Sequence, residues 1–502
     1  MNNSQEAKRK LSACKETLEP ANSNDYALGQ VEFLSDASEV LSSRNLTTLR
    51  WKIDLRIMPL CMAIYFLQYL DKTLLNYAAV MGIKKNLHGD QFSDLGTIFY
   101  VGYLVAEPLS GFLIQKLPVG KFLGLNVTLW GMVVCFHAAT KSYYGLMIVR
   151  VLLGVFEASV AGCLIIITGM WWTKPEQSRR TGLWYMQIGT GQVVGALLSF
   201  GFQHVSDTKL ASWQILFIFM GCLTVVVGIL TVCFMPDNIQ KSTFLSEIEK
   251  AEAAEHVKVN QISAENKTVK IAQLKELLVH DKQTWVLFLI TILTMITNGT
   301  VSNFTGVIIS SFGYSNEKAT IFQIPSGAVS IIATLACCYL AGHVGQRCYI
   351  MGAVCVPSIV GAILLLALDQ NHRVGKLFGV YLLNSAPAIL PMIYNWNSVN
   401  TSGHTKRVSR NALTLMAFCV GNLIGPQMFK NNDAPNYTPA KIALIAQLAI
   451  AIVLCLCLRA IVVAENKRRD EECTGLDPEV LRRDTTTLDL TDLEDITFRY
   501  VY

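Results

Sequence analysis

Apolar residues in this chain gather into long runs bounded by charges, Pro or Gly. A bilayer's hydrocarbon core of about 30 Å takes roughly 20 apolar residues of helix, and twelve runs approach that length. Six precede a polar break, at about Ile53–Ala79, Phe92–Leu117, Phe122–Ala139, Tyr144–Trp172, Thr181–His204 and Ser212–Met235. Between Pro236 and Lys282 the chain is rich in Glu and Lys (FLSEIEKAEAAEHVKVN, ENKTVKIAQLKELL), and its few apolar residues recur at helical spacing, which predicts an amphipathic loop. Six more runs follow, at about Trp285–Phe312, Thr320–Val344, Tyr349–Leu368, Gly375–Asn397, Asn411–Phe429 and Lys441–Val463.

Twelve spans return the chain to the side on which it started. Short-loop cations assign that side to the cytosol, because Lys116, Lys121, Lys174, Arg179, Arg180, Arg347, Lys406, Arg407, Arg410, Lys467, Arg468 and Arg469 outnumber those opposite, and Arg50, Lys52 and Arg56 flank the first span. The polar first fifty residues hold no secretory signal core, which also places the N-terminus in the cytosol. Six spans, a long loop and six spans is the layout of two repeats related about the membrane normal. GFLIQKLPVGK (111–121) after the second span and GHVGQR (342–347) after the eighth echo one another weakly, and ordinary helix punctuation explains them equally well.

Composition narrows the class. Apolar residues make up 52% of 502 and charged residues 16%, against roughly 25% charged in soluble domains, with a mean hydropathy of +0.38. One anchor helix on a soluble domain cannot produce those values, and disorder and collagen are excluded with it. A dispersed net charge of +5 does not make a nucleic-acid surface. Twelve of the fourteen cysteines lie in apolar runs and read as small buried hydrophobes.

Charges in mid-membrane are costly and usually functional. Asp71 and Lys72 lie deep in the first span, either as working groups or as a mutually neutralising pair. Glu107, beside Pro108 in the second, lines a cavity or caps a kink. Arg150 and Glu157 are seven residues apart in the fourth, so they share a helix face within about 20° and about 10 Å. They read either as part of a structural ion network or as a working pair. In the second case a permanently cationic guanidinium attracts an anion, and a partly desolvated carboxylate takes up and releases a proton.

GFLIQKLPVGK, RVLLGVFEA in the fourth span, SWQILFIFMG and MPDN at the two ends of the sixth, ENKRRD after the twelfth and YLDKTLLNYAAVMGI in the first resemble the major facilitator superfamily. Within it they are most similar to the fungal anion:cation symporter branch that includes the allantoate permeases, over about Trp51 to Asp470. The chain departs from the pattern at Gln115, where the superfamily usually carries Asp, and at Lys72, where related transporters often carry Arg. The resemblance implies a coupling site made of the first-span Asp and cation and the fourth-span Arg and Glu. Asp71 and Glu157 then become the protonation candidates, and Lys72 and Arg150 the candidates for holding a substrate carboxylate.

The second half is poor in buried charge and rich in amides. Asn298, Asn395 and Asn422, with Gln187 from the first half, are further substrate-binding candidates, and Gln323, Tyr394, Trp396 and Glu107 are possible cavity residues. Each amide can equally bond helix to helix. GTGQVVG (189–195) has the wrong spacing and context for a dinucleotide loop, and both it and GNLIG (421–425) suit close helix packing. No Walker loop, metal-ligand spacing or nucleophile motif is found, so no enzyme activity, cofactor, metal or ATP is expected.

The expected protein is all-α, with twelve transmembrane helices in two six-helix halves. A polar cytosolic tail (1–50) precedes the first half (51–236), a cytosolic loop (237–283) precedes the second (284–463), and a cytosolic tail (464–502) ends it. That tail, with TTTLDLTDLEDITF, reads as a solvated segment. The expected function is proton-coupled symport of a small organic anion by a multi-pass monomer whose partners are its substrate, protons and the bilayer, by resemblance in the plasma membrane. An exporter of an acidic metabolite and a non-transporting nutrient sensor fit the same residues.

Overall fold

The structure, a computed structural model, describes residues 43–83, 87, 91–140, 142–205, 210–258, 270–369, 371–428, 437–474 and 490–502. It divides into two units, residues 1–55, whose described part is the opening of the first helix, and residues 56–502, to which all contacts below belong. The polar segment before residue 43 and the Gln115 side chain lie outside the described residues.

The helices before the central loop are α1 (Ser43–Val80), α2 (Gln91–Lys116), α3 (Val119–Ala139), α4 (Tyr143–Trp171), α5 (Lys174–Tyr185), α6 (Gln187–Gln203) and α7 (Ser212–Phe234). The loop contributes α8 (Glu247–Lys258) and α9 (Ile271–Val279). The remainder are α10 (Lys282–Ser311), α11 (Asn316–Ile321), α12 (Ile324–Val344), α13 (Arg347–Ala367), α14 (Arg373–Leu383), a 3₁₀ turn (Ala386–Ala388), α15 (Ile389–Val399), α16 (His404–Gln427) and α17 (Thr438–Cys473). No strand occurs among the described residues.

Ten stretches are long and apolar enough to cross a membrane. The other two predicted spans are helical, but one is broken and one polar at its start. The fifth is interrupted at Met186 between α5 and α6, and the eleventh, α16, carries Lys406, Arg407 and Arg410 in its opening turns. The tenth predicted span is also broken, between α14 and α15. A break in mid-membrane frees backbone groups that lipid cannot satisfy. Here the two breaks serve each other: the Tyr185 hydroxyl donates to the Pro387 carbonyl at 3.0 Å, and Gln192 Nε2 donates to Asn384 Oδ1 at 3.2 Å.

Helix ends are set locally. Ser142 Oγ accepts the Gly145 amide at 3.1 Å to start α4, Glu176 reaches back to the Thr173 amide at 3.1 Å to start α5, and Asp281 Oδ1 accepts the Gln283 amide at 3.0 Å to start α10. Packing uses small residues, as the glycine motifs lead one to expect. A Cβ on Gly421 would stand 2.6 Å from the Ile292 carbonyl, so α16 and α10 approach backbone to backbone. In the first half α3 packs on α7 and α2 on α4; in the second α13 packs on α17 and α10 on α16; α2 meets α16, and α5 and α6 meet α12, across the halves.

The C-terminal segment departs from the expected solvated tail. Residues 490–502 lie against the ends of α13, α16 and α17, with Thr491, Asp492 and Tyr500 buried. Lys406 Nζ, wholly buried, stands 2.9 Å from Asp492 and 2.7 Å from Glu276 of α9. Tyr500 donates to Asp492 at 2.7 Å, and Asn400 exchanges two hydrogen bonds with Val501 at 2.8 and 2.9 Å. Composition alone reads this segment as solvated because its partners sit far away in the chain.

Candidate functional site

Tyr65, Gln68, Tyr69, Lys72 and Asn76 follow one another in α1 at steps of three, one, three and four, so they share one face of the helix. The first four line a cavity between the halves. Phe99 and Tyr103 of α2, Glu157 and Ala161 of α4, and Ile188 of α6 complete the first-half wall, while Asn298 of α10, Tyr394 of α15, and Leu415 and Phe418 of α16 face them. Sequence reasoning on single charges named Tyr394 but missed the other aromatic members, although the polar stripe YFLQYLDKTLLN was there to be read at helical spacing.

Lys72 Nζ lies 5.2 Å from the centre of the Tyr100 ring and 5.3 Å from that of Phe418, a cation held against aromatic faces. Asp71, its chain neighbour, turns another way and accepts hydrogen bonds from Trp130 Nε1 at 2.9 Å and Thr224 Oγ1 at 3.0 Å. These bonds tie α1 to α3 and α7, and the two adjacent charges are not a local pair. Arg150 and Glu157 are both buried on α4, and the charge of Arg150 acts on Glu157 and Asp71. Among the described residues none of these four groups closes an ion pair within 4.0 Å. Among the described residues Arg150 Nη2, Glu157 Oε1 and the second oxygen of Asp71 have no hydrogen-bond partner. An unpaired buried charge is expensive, so the arrangement is poised to take up a ligand charge or a proton.

The other candidates are dispersed. Asn298 Nδ2 donates to Asn422 Oδ1 at 2.9 Å, and the same oxygen accepts the Tyr100 hydroxyl at 3.2 Å, which makes a polar belt between α2, α10 and α16. Glu107 is 3% exposed with an unpartnered Oε2, one turn beyond Tyr103 on α2. Gln323 accepts from Asn76 Nδ2 at 3.2 Å, and Gln187 opens α6 just after the break. Asn395 accepts from Arg347 Nε at 2.8 Å and Trp396 is wholly buried in α15; neither lines the cavity.

Polar contacts between the halves stand at both ends of the cavity. On the face where α1 ends, Asn76 meets Gln323, Gln427 Nε2 donates to Thr97 Oγ1 at 2.9 Å, and Gln203 Nε2 to Thr320 Oγ1 at 3.4 Å. On the face where α4 ends, Ser178 Oγ donates to the Cys338 carbonyl at 3.1 Å and Ser398 Oγ to Gln177 Oε1 at 2.6 Å.

Two packed helical halves around a central, charge-bearing cavity define a multi-pass membrane transporter. The chain belongs to the Major Facilitator Superfamily, whose sequence model matches residues 61–426. It is 44% identical to the thiamine pathway transporter THI73 of Saccharomyces cerevisiae and 33% identical to the allantoate permease of the same yeast, each over 90% of this chain and 86% of the relative. An uncharacterized transporter of Schizosaccharomyces pombe is 34% identical over 93% of this chain and 90% of its own. Transport, rather than enzymatic turnover, is therefore its task.

Proposed function

We propose that the protein imports a small organic anion together with protons across a fungal plasma membrane, with both termini in the cytosol. One observation carries this reading: Lys72 and Glu157 line the inter-half cavity and Arg150 lies buried seven residues from Glu157 on the same helix, without closing ion pairs on one another among the described residues. Two cations suit a carboxylate, and a carboxyl group free of a salt bridge suits a proton. A proton on Glu157, with Asp71 as a second acceptor, lets Lys72 and Arg150 hold the substrate carboxylate. Rocking of the halves about the midplane then opens the opposite side, and deprotonation there restores the competing carboxylate and expels the anion. Asn298 and Tyr394, across the cavity, meet the neutral part of the substrate. The relative named allantoate permease is consistent with an organic anion as substrate.

The test is uptake of labelled organic anions at acidic external pH, with and without a protonophore, by wild type and Glu157→Gln. The variant is expected to bind the substrate yet fail to accumulate it. Proton-driven accumulation by Glu157→Gln at the wild-type rate removes Glu157 from the coupling mechanism.

A further inference from the structure

A second cavity lies wholly within the C-terminal half and shares no lining residue with the central one. α10 forms part of both walls: Asn298 looks into the central cavity, while Thr300, Val301 and Ser311 border the second. Lys376 of α14 and Lys441 of α17 also border it, at the end of the bundle where α10 stops and α14 and α17 start.

Lys376 is 6% exposed, its ammonium lies 5.6 Å from the centre of the Phe312 ring, and among the described residues it meets no carboxylate. A lysine near a membrane face ordinarily buries its stem and leaves its head in water; here the whole side chain is enclosed. Lys441 is half-buried and donates a hydrogen bond to the Leu365 carbonyl at 2.9 Å, and both lysines border the same cavity. The nearby hydroxyls already donate to backbone, Thr305 to Val301 at 2.6 Å and Ser311 to Ile308 at 2.7 Å. The free donors converging on the cavity are therefore the two ammonium groups, and most of the remaining wall is apolar. Two cations in an apolar cleft, without a counter-charge among the described residues, are stabilised when an anion joins them.

We propose that this cavity is a second anion site, separate from the central one, that takes an oxyanion, carboxylate or phosphate, on an apolar body, held between Lys376 and Lys441. Such an oxyanion reaches it either as a free solute or as a lipid headgroup.

Pyridoxal 5′-phosphate, itself an oxyanion on an apolar ring, is the probe. The full chain in phosphatidylcholine nanodiscs is treated with it, reduced with borohydride and peptide-mapped, so that Lys376 and Lys441 are read apart from Lys72 and from the exposed Lys318. Lys376 is expected to be modified, and its modification to slow about tenfold when a competing anion stands at about ten times its dissociation constant. Protection by benzoate in the medium identifies a free solute; protection by phosphatidate in the nanodisc, with benzoate without effect, identifies a lipid headgroup. In both cases Lys318 reacts unchanged, and Lys441→Met raises the concentration needed for protection. Failure of Lys376 to react, or reaction at the same rate with chloride, benzoate and phosphatidate, overturns the site.

Discussion

Two clusters of buried charge in this molecule are built in opposite ways. Around the central cavity Asp71, Lys72, Arg150 and Glu157 stay apart, with unpartnered polar atoms on three of them. At the end of the C-terminal half, Lys406 is closed on Glu276 at 2.7 Å and Asp492 at 2.9 Å, with Asp281 at 3.8 Å, and Arg410 donates to Thr401 Oγ1 at 2.8 Å. Both clusters are withdrawn from solvent, so burial does not separate them. The difference lies in ion pairing among the described residues: although Arg410 Nε and Nη2 also lack hydrogen-bond partners, Lys406 is closed on two carboxylates and ties α9, α16 and the C-terminal segment together, whereas the first cluster closes no ion pair and keeps free energy in reserve for a ligand or a proton.

The contrast breaks most visibly at Lys406. Removing one member of a closed buried network leaves the others uncompensated, so Lys406→Met is expected to cost about 3–5 kcal/mol in stability, read by thermal unfolding in detergent, while the folded fraction still transports. Arg150→Gln should do the reverse. It removes a cation with no closed partner, so stability holds or rises, while uptake falls roughly 100-fold, as for a lost charged hydrogen bond to substrate. Equal loss of stability in the two variants would erase the distinction between the clusters.

A pH profile sharpens it. Burial alone would push the Asp281 carboxyl up, but Arg410, Lys406 and the bonds from Thr284 outweigh it and hold it below the ordinary carboxylate range. A depressed carboxyl contributes stability above the ordinary Asp range and loses it as pH falls through the lowered value. Thermal stability should therefore stay level as pH falls to that range and drop below it, whereas Asp281→Asn should be less stable at neutral pH and show a shallower acid drop. The smallest effect is expected at the paired helix breaks. Tyr185→Phe leaves the Pro387 carbonyl without its donor and should cost about 0.6 kcal/mol, the average for an interhelical bond in a membrane, measured by the same unfolding assay.

Much of the fold is legible along the chain. Run length and flanking caps at Ser142, Thr173 and Asp281 mark where helices lie and begin, since both depend on near neighbours. Pro387 hints at the break in the tenth span, but nothing around Met186 signals the break in the fifth, which is stabilised by a partner on another helix. Of the site, Lys72, Glu157, Asn298 and Tyr394 could be nominated from charge and polarity, and the aromatic lining of α1 could have followed from its stripe. The direction of Asp71, toward Trp130 and Thr224, could not, because those residues are 59 and 153 positions away.

By itself the sequence determined that this protein enters a membrane, where its long helical stretches lie and which residues put charge at depth. Hydropathy over about 20 residues is a local quantity matched to the bilayer's thickness. Tertiary structure alone decided which charges are closed on partners and which are left open. Lys406 and Asp492 are 86 residues apart, and Asn395 is drawn off by Arg347 while Asn298 faces the cavity. Pairing of that kind depends on which helix faces come to lie together, and that is settled only when the whole set of helices has packed.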